Sequence, residues 1–140
     1  MKAIIVHSTS KLERSLKIAQ TIEGDLFRIE HVKPVYKSKF AQMFFYGYLT
    51  VANKKVQIKP MSIDFGLYDE IYLVSPVWAG RVNAFMRQFL KEYPLINKKI
   101  HVIATCEGGY KNYFKTVETL LDQSNEIIEK TVYVNGELIK

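Results

Sequence analysis

The chain is confined most by a rhythm: short runs rich in Ile, Val and Tyr, each followed by a stretch whose apolar residues recur at helical spacing. Lys2 to Ser8 (KAIIVHS) is apolar on both faces, as a buried central parallel strand must be. Ser10, with Glu13 three residues on, has the pattern of a capping box. Leu12, Leu16, Ala19 and Ile22 then form one helical stripe, closed by Gly24. Asp25 to Val32 alternates apolar and polar, as an edge strand with one wet face does, and Pro34 closes it. Glu70 to Val77 reads as a third strand whose pairing should finish near Pro76, a residue with no N–H to donate. After a loop over Trp78 to Val82, Asn83 is placed to cap a helix carrying Phe85, Met86, Phe89, Leu90 and Tyr93 on one face. Ile100 to Cys106 is a fourth strand. Tyr113, Phe114, Val117, Leu120 and Leu121 share a helix face, and Ile127 to Val134 is a fifth strand. This alternation predicts an α/β fold, a doubly wound three-layer sandwich. Its five-stranded parallel sheet has the order 2-1-3-4-5, with the more polar second and fifth strands at the edges.

The 140 residues suit one domain, 1–140. The lone Cys106 makes neither an internal disulfide nor a thiolate metal site, so no metal is expected and a reducing cytoplasm is the expected setting. The stretch Met1 to Val6 is too short for a signal peptide, and no transmembrane segment is expected. The net charge of +6 is local: six Lys (33, 37, 39, 54, 55, 59) and no acid lie between Glu30 and Asp64. This basic stretch belongs to an extended connection, about 33–66, that also holds an unusually aromatic helix at 38–52. There Phe40, Phe44 and Tyr48 share one face, while Met43, Phe45, Tyr46, Leu49 and Val51 spread apolar surface around the rest. The connection packs on itself and the sheet, or the helix is a homodimer interface, a partner site or a lid. A membrane-lying helix fits less well, because Gly47 interrupts it and no clean polar face is evident.

In an open parallel sheet, ligands bind beyond the carboxyl ends of the strands at the switch point, so three loops matter. The first offers the hydroxyls of Ser8, Thr9, Ser10 and Ser15 with the cations Lys11 and Arg14, which suits a phosphate but equally a plain helix cap. Glu13 competes for the same amides. The second, Val77-Trp78-Ala79-Gly80-Arg81, sets an indole at the mouth of the sheet. The third, Cys106-Glu107-Gly108-Gly109-Tyr110, adds a phenol, with paired glycines that let a ligand approach the backbone. Two rings at adjacent strand ends can hold a planar group between them; the alternative is that Trp78 packs on Phe85 and Tyr110 on Phe114. No nucleophile has a base beside it, so no catalytic residue is assigned. His7 and His101 lie on strands and are read as structural, although His7, at a strand end, could touch the ligand.

The hydroxyl-rich turn after the first strand, the Pro76-Val77-Trp78-Ala79-Gly80 loop, and Gly109-Tyr110 leading into Asn112 and Phe114 together resemble the flavodoxin family, over nearly the whole chain and at its short end. The resemblance implies FMN as cofactor, with Ser8, Thr9, Ser10 and Ser15 at its phosphate, Trp78 and Tyr110 on the isoalloxazine, and Gly80 near N5. The family's Thr-Gly-Asn-Thr is here Ser10-Lys11-Leu12-Glu13, or follows a two-residue insertion ending at Ser15. The function so implied is electron transfer to a redox partner protein or small acceptor. Two alternatives stand: a flavin-dependent reductase of quinones or other small acceptors, and a flavin-free interaction module using the basic aromatic segment 35–59. No nucleic-acid motif is present.

Overall fold

A computed structural model of the chain describes residues 1–8, 13–32, 38–52, 54–78, 80–110 and 112–139, by backbone alone at 39, 42, 43 and 47. The strands are β1 (Lys2–Val6), β2 (Asp25–Arg28), β3 (Glu70–Trp78), β4 (Arg81–Val82), β5 (Lys99–Cys106), β6 (Glu126–Val134) and β7 (Glu137–Leu138). The sheet runs β2-β1-β3-β5-β6-β7, with β4 paired to β3 off this path. The pairings β1–β2, β1–β3, β3–β5 and β5–β6 are parallel.

Among the described residues the expected count of five strands is corrected to seven, because two short antiparallel strands fold back on their predecessors. Beyond Pro76, the last residue of β3 paired to β5, the strand continues as Val77 and Trp78. These pair with Val82 and Arg81 across a tight hairpin in which Gly80 takes φ 74°. A second hairpin, with Gly136 at φ 84°, lays β7 on β6, so the fifth expected strand is not a bare edge. Strand β2 ends at Arg28, four residues short of the expected limit, because His31 leaves it for an isolated antiparallel bridge with Ile58. Lys59 N–H donates to the Glu30 carbonyl (2.8 Å) beside that bridge, so the long connection returns along the sheet edge.

Period-two alternation divides the strands between two cores. Ala3, Ile5, Ile71, Leu73, Val102 and Ala104 face a large cluster with Phe85, Met86, Phe89 and Leu90 of α4 (Ala84–Glu92) and Tyr113 and Val117 of α5 (Tyr113–Leu120). Ile4, Val6, Val74 and Ile103 face a smaller one, closed by Ala19 and Leu16 of α1 (Arg14–Ala19). The short helix is a second correction. It begins at Arg14, with Glu13 in the left-handed region (φ 46°, ψ 47°) at its N-cap and no side-chain cap. Glu13 stands outside the helix with its carboxylate 2.9 Å from the Arg28 guanidinium, and Ser10, the other half of the expected capping box, lies outside the described residues. Helix termination by Gly24 is corrected too: the helix ends at Ala19, and Gly24 lies against β1, where a Cβ would stand 2.6 Å from the Lys2 carbonyl oxygen.

The aromatic connection is helical over 39–51, as α2 (Lys39–Ala41), a π-helical turn (Gln42–Tyr46) and α3 (Gly47–Val51). Its inner side carries Tyr46 and Thr50, both buried. The Thr50 hydroxyl accepts from Ala84 N–H at 3.1 Å. The buried Arg87 guanidinium donates to the carbonyls of Thr50, Leu49 and Lys54 (3.1, 3.3 and 2.7 Å), satisfying acceptors that the helix end leaves open. The helix is thereby fastened to α4.

Candidate functional site

Main-chain bonds bring the carboxyl ends of β1, β2, β3 and β5 to one edge. His7 N–H donates to the Val74 carbonyl and Ile29 N–H to that of Val6. Asn83 ties the β3 end to α4. Its Nδ2 donates to the Pro76 carbonyl (3.0 Å), while its Oδ1 accepts from Phe85 and Met86 N–H (3.1 and 3.0 Å). The β3–β4 hairpin docks on α5 through a bond from Val82 N–H to the Thr116 hydroxyl (3.0 Å).

At this edge five rings form a box. Trp78, half-buried, lies parallel to Tyr46 with centroids 4.8 Å apart and 3° between planes, and meets His7 and Phe85 edge-on (5.3 and 5.9 Å). His31 stacks on Phe85 at 3.6 Å, and His7 on the same ring at 5.1 Å. The two imidazoles join through Nε2···Nε2 at 2.7 Å, a distance that admits one proton between them. Burial above all, then His31 and Arg28, pushes the pKa of His7 well below the ordinary value; burial, then Arg28, lowers that of His31 to about 4. Both rings are therefore neutral near pH 7. His7 Nδ1 is buried with no hydrogen-bond partner among the described residues.

Of the expected ring-binding residues, Trp78 stands in this box and Tyr110 at the third loop, half-buried against the main core, with its carbonyl accepting from Tyr113 N–H. The two rings make no contact with each other: Trp78 stacks on Tyr46. It also touches Phe85, the partner considered as its purely structural role. Val77 is half-buried and Arg81 exposed across the hairpin from Trp78. Around Gly80, Gly108 and Gly109 there is open space, since a Cβ on any of them would meet nothing within 4 Å. Cys106 points its sulfur toward the Tyr133 carbonyl (3.8 Å), and burial pushes its thiol pKa up.

In the first loop, Ser8 is buried, and its carbonyl accepts from Arg28 (3.1 Å). Ser15 is buried as well, its hydroxyl bonded to that of Thr105 at 2.8 Å, which locks the helix start to β5. Arg14, half-buried, reaches Glu107 of the third loop at 3.9 Å. Thr9, Ser10, Lys11 and Ala79, expected at the site from the sequence, lie outside the described residues. Sequence reasoning missed Arg28, His31 and Tyr46. The first two could have been found by extending the strand-end rule to the second strand, next to the first. Tyr46 falls outside the 40/44/48 row, which was a signal for an inward side chain.

No family model matches the sequence, and no curated protein matches it. Solved structures do. A flavoprotein from Lactobacillus acidophilus, crystallised in complex with FMN, superposes with a TM-score of 0.70 at 19% identity, over 94% of this chain and 90% of that one. Two provisionally named flavoproteins, from Bacteroides eggerthii (TM-score 0.75, 17% identity, 97% of this chain and 88% of that one) and Bacteroides uniformis (0.73, 14%, 95% and 90%), are similar to the same extent. At these identities the likeness is one of fold: an α/β chain with a mostly parallel sheet and flanking helices.

Proposed function

We propose that the chain is an FMN-binding, flavodoxin-like electron-transfer protein acting in the cytoplasm. The observation that carries this reading is the half-buried Trp78, stacked on Tyr46 at the carboxyl end of β3, with open space at Gly80 two residues on and at Gly108 and Gly109 after the neighbouring strand β5. The donor set fits the group. A thin aromatic ring system has an indole and a phenol to lie against, and an anionic phosphate has hydroxyls and cations at the first loop. Trp78, Gly80 and Tyr110 would hold the ring, with Val77, Ala79, Cys106, Glu107, Gly108 and Gly109 along the two loops. Ser8, Thr9, Ser10 and Lys11 would hold the phosphate, with Arg14 and Arg28 adding charge. Ser15 serves by fixing the loop to Thr105.

Bound FMN would supply reversible uptake of one or two electrons, while the chain supplies position and field. Arg81, across the hairpin from Trp78, favours negative charge on the ring, and the neutral His7–His31 pair adds none. A less negative reduction potential than in an acidic flavodoxin follows. A redox partner protein or a small acceptor would take the electrons. Titration of purified protein with FMN, read by Trp78 fluorescence, tests the reading: Trp78 is the only tryptophan, so stacking quenches the signal. Absence of quenching at tens of micromolar flavin, well above the dissociation constant that a stacked and phosphate-anchored ligand should reach, leaves the fold without the function. Spectroelectrochemistry on Arg81→Ala tests the field, with a more negative potential expected in the variant.

A further inference from the structure

The outer side of the 39–51 helix has no part in the site above. Phe40, Phe44 and Tyr48 recur every fourth residue and are 71%, 62% and 52% exposed, with Val51 exposed in the same row. Phe40 and Phe44 stack on each other at 6.2 Å, and Phe45 meets Phe44 edge-on at 5.3 Å, so the surface is a continuous apolar strip rather than scattered rings. Such contiguous strips are uncommon on soluble monomers and mark places where something docks. The objection that this helix lacks a polar face falls away in the folded chain. The opposite side is occupied by the protein itself, through Tyr46, Thr50 and the three carbonyls held by Arg87. A helix clamped along one side can present an all-aromatic other side without needing to be amphipathic on its own.

Charge selects the occupant. Lys54 and Lys55, exposed, follow Val51 within one turn, and Lys59 is exposed further on; the stretch from 31 to 63 contains six Lys, no Arg and no acid. A second copy of the chain would bring two such lysine sets together, and like charges oppose that dimer. An acidic protein partner is normally gripped by Arg, whose planar fork matches single carboxylates, whereas Lys is depleted from protein interfaces. Compact lysine charges around exposed Phe and Tyr suit a diffuse anionic surface whose interior accepts the rings. We infer that this face seats the chain peripherally on an anionic lipid bilayer, with Phe40, Phe44 and Tyr48 entering the headgroup boundary and Lys54 and Lys55 meeting lipid phosphates. No helix among the described residues is long and apolar enough to cross a membrane, so attachment through this face is reversible. The inference stands apart from flavin binding.

Flotation of the full chain with vesicles of pure phosphatidylcholine and of phosphatidylcholine mixed with phosphatidylglycerol tests it. The protein should float with the phosphatidylglycerol vesicles at low salt and be released at high salt. Phe40→Ser with Phe44→Ser should lower the bound fraction about tenfold per ring while leaving the far-ultraviolet spectrum and the FMN titration unchanged. Lys54→Glu with Lys55→Glu should abolish the preference for anionic vesicles. No binding to either vesicle, or equal binding to both at every salt concentration, overturns the inference. So does sedimentation equilibrium showing a dimer that the Phe→Ser pair dissociates, which would assign the face to a second copy.

Discussion

Ile5, Leu73 and Val102 lie beneath α4, α5 and the 39–51 helix, in a core dense with Phe and Tyr; one residue along each strand, Val6, Val74 and Ile103 lie beneath α1 alone. Where α1 does not reach, this second face carries Tyr72 stacked on His101 at 3.9 Å. The imidazole is held between Glu129, at Nδ1, and Glu70, 3.1 Å from Nε2. On the first face, by contrast, His7 and His31 meet each other, among apolar rings and near a guanidinium. The same side chain thus serves two ends. Among carboxylates near water it organises a polar cover for bare sheet, and inside an aromatic box it has to stay neutral. The heavily covered face buries the larger core, so truncations there should cost more than on the thinly covered face.

The sharpest break of this comparison is a paired truncation. Phe89→Ala, at a fully buried ring of α4, should cost about 3–5 kcal/mol, and Tyr72→Ala on the other face about 1 kcal/mol, both read by urea denaturation. Near-equal losses would mean that the two faces contribute alike. Acidification should act through the first face. In the folded chain the His7 and His31 pKa values lie below 6.5, so between pH 6.5 and about 4 the unfolded chain binds more protons and stability falls as pH falls. The slope should approach about 1.4 kcal/mol per pH unit for each histidine. His31→Gln should flatten it, and thermal melts across that range measure the change.

A third probe concerns the buried polar pair within the heavily covered core. Tyr113 is fully buried, its hydroxyl 2.8 Å from that of Ser75, and burial pushes its pKa up to about 12. Tyr113→Phe leaves the Ser75 hydroxyl without that partner and should cost about 1–3 kcal/mol in chemical denaturation. The smallest effect belongs to the polar cover. Glu129→Gln, at a carboxylate near solvent, should change stability by less than about 1 kcal/mol. A larger loss would promote that network from cover to support.

Much of the architecture was legible from local pattern. The doubly apolar run at Lys2–Ser8, the Asn83 cap and the donor-less Pro76 each act within a few residues, and each marks the element it implied. The hairpin beyond Pro76 was not legible as a strand, since two residues carry no period. Nor was the late start of α1, which leaves Glu13 outside the helix with its carboxylate on Arg28, fifteen residues further along. Ser15, a first-loop hydroxyl in the sequence, is bonded to Thr105 of β5 across ninety positions.

Periodicity, caps and turn residues are short-range, so sequence alone determined which segments are strands and helices, and which three loops gather at the sheet's open end. Which rings meet there was decided only when the chain closed on itself. Tyr46 backs Trp78, and His31 joins His7, because the long connection folds inward through Arg87 and the bridge to Ile58. Contacts of that separation depend on where whole elements pack, which no local spacing encodes.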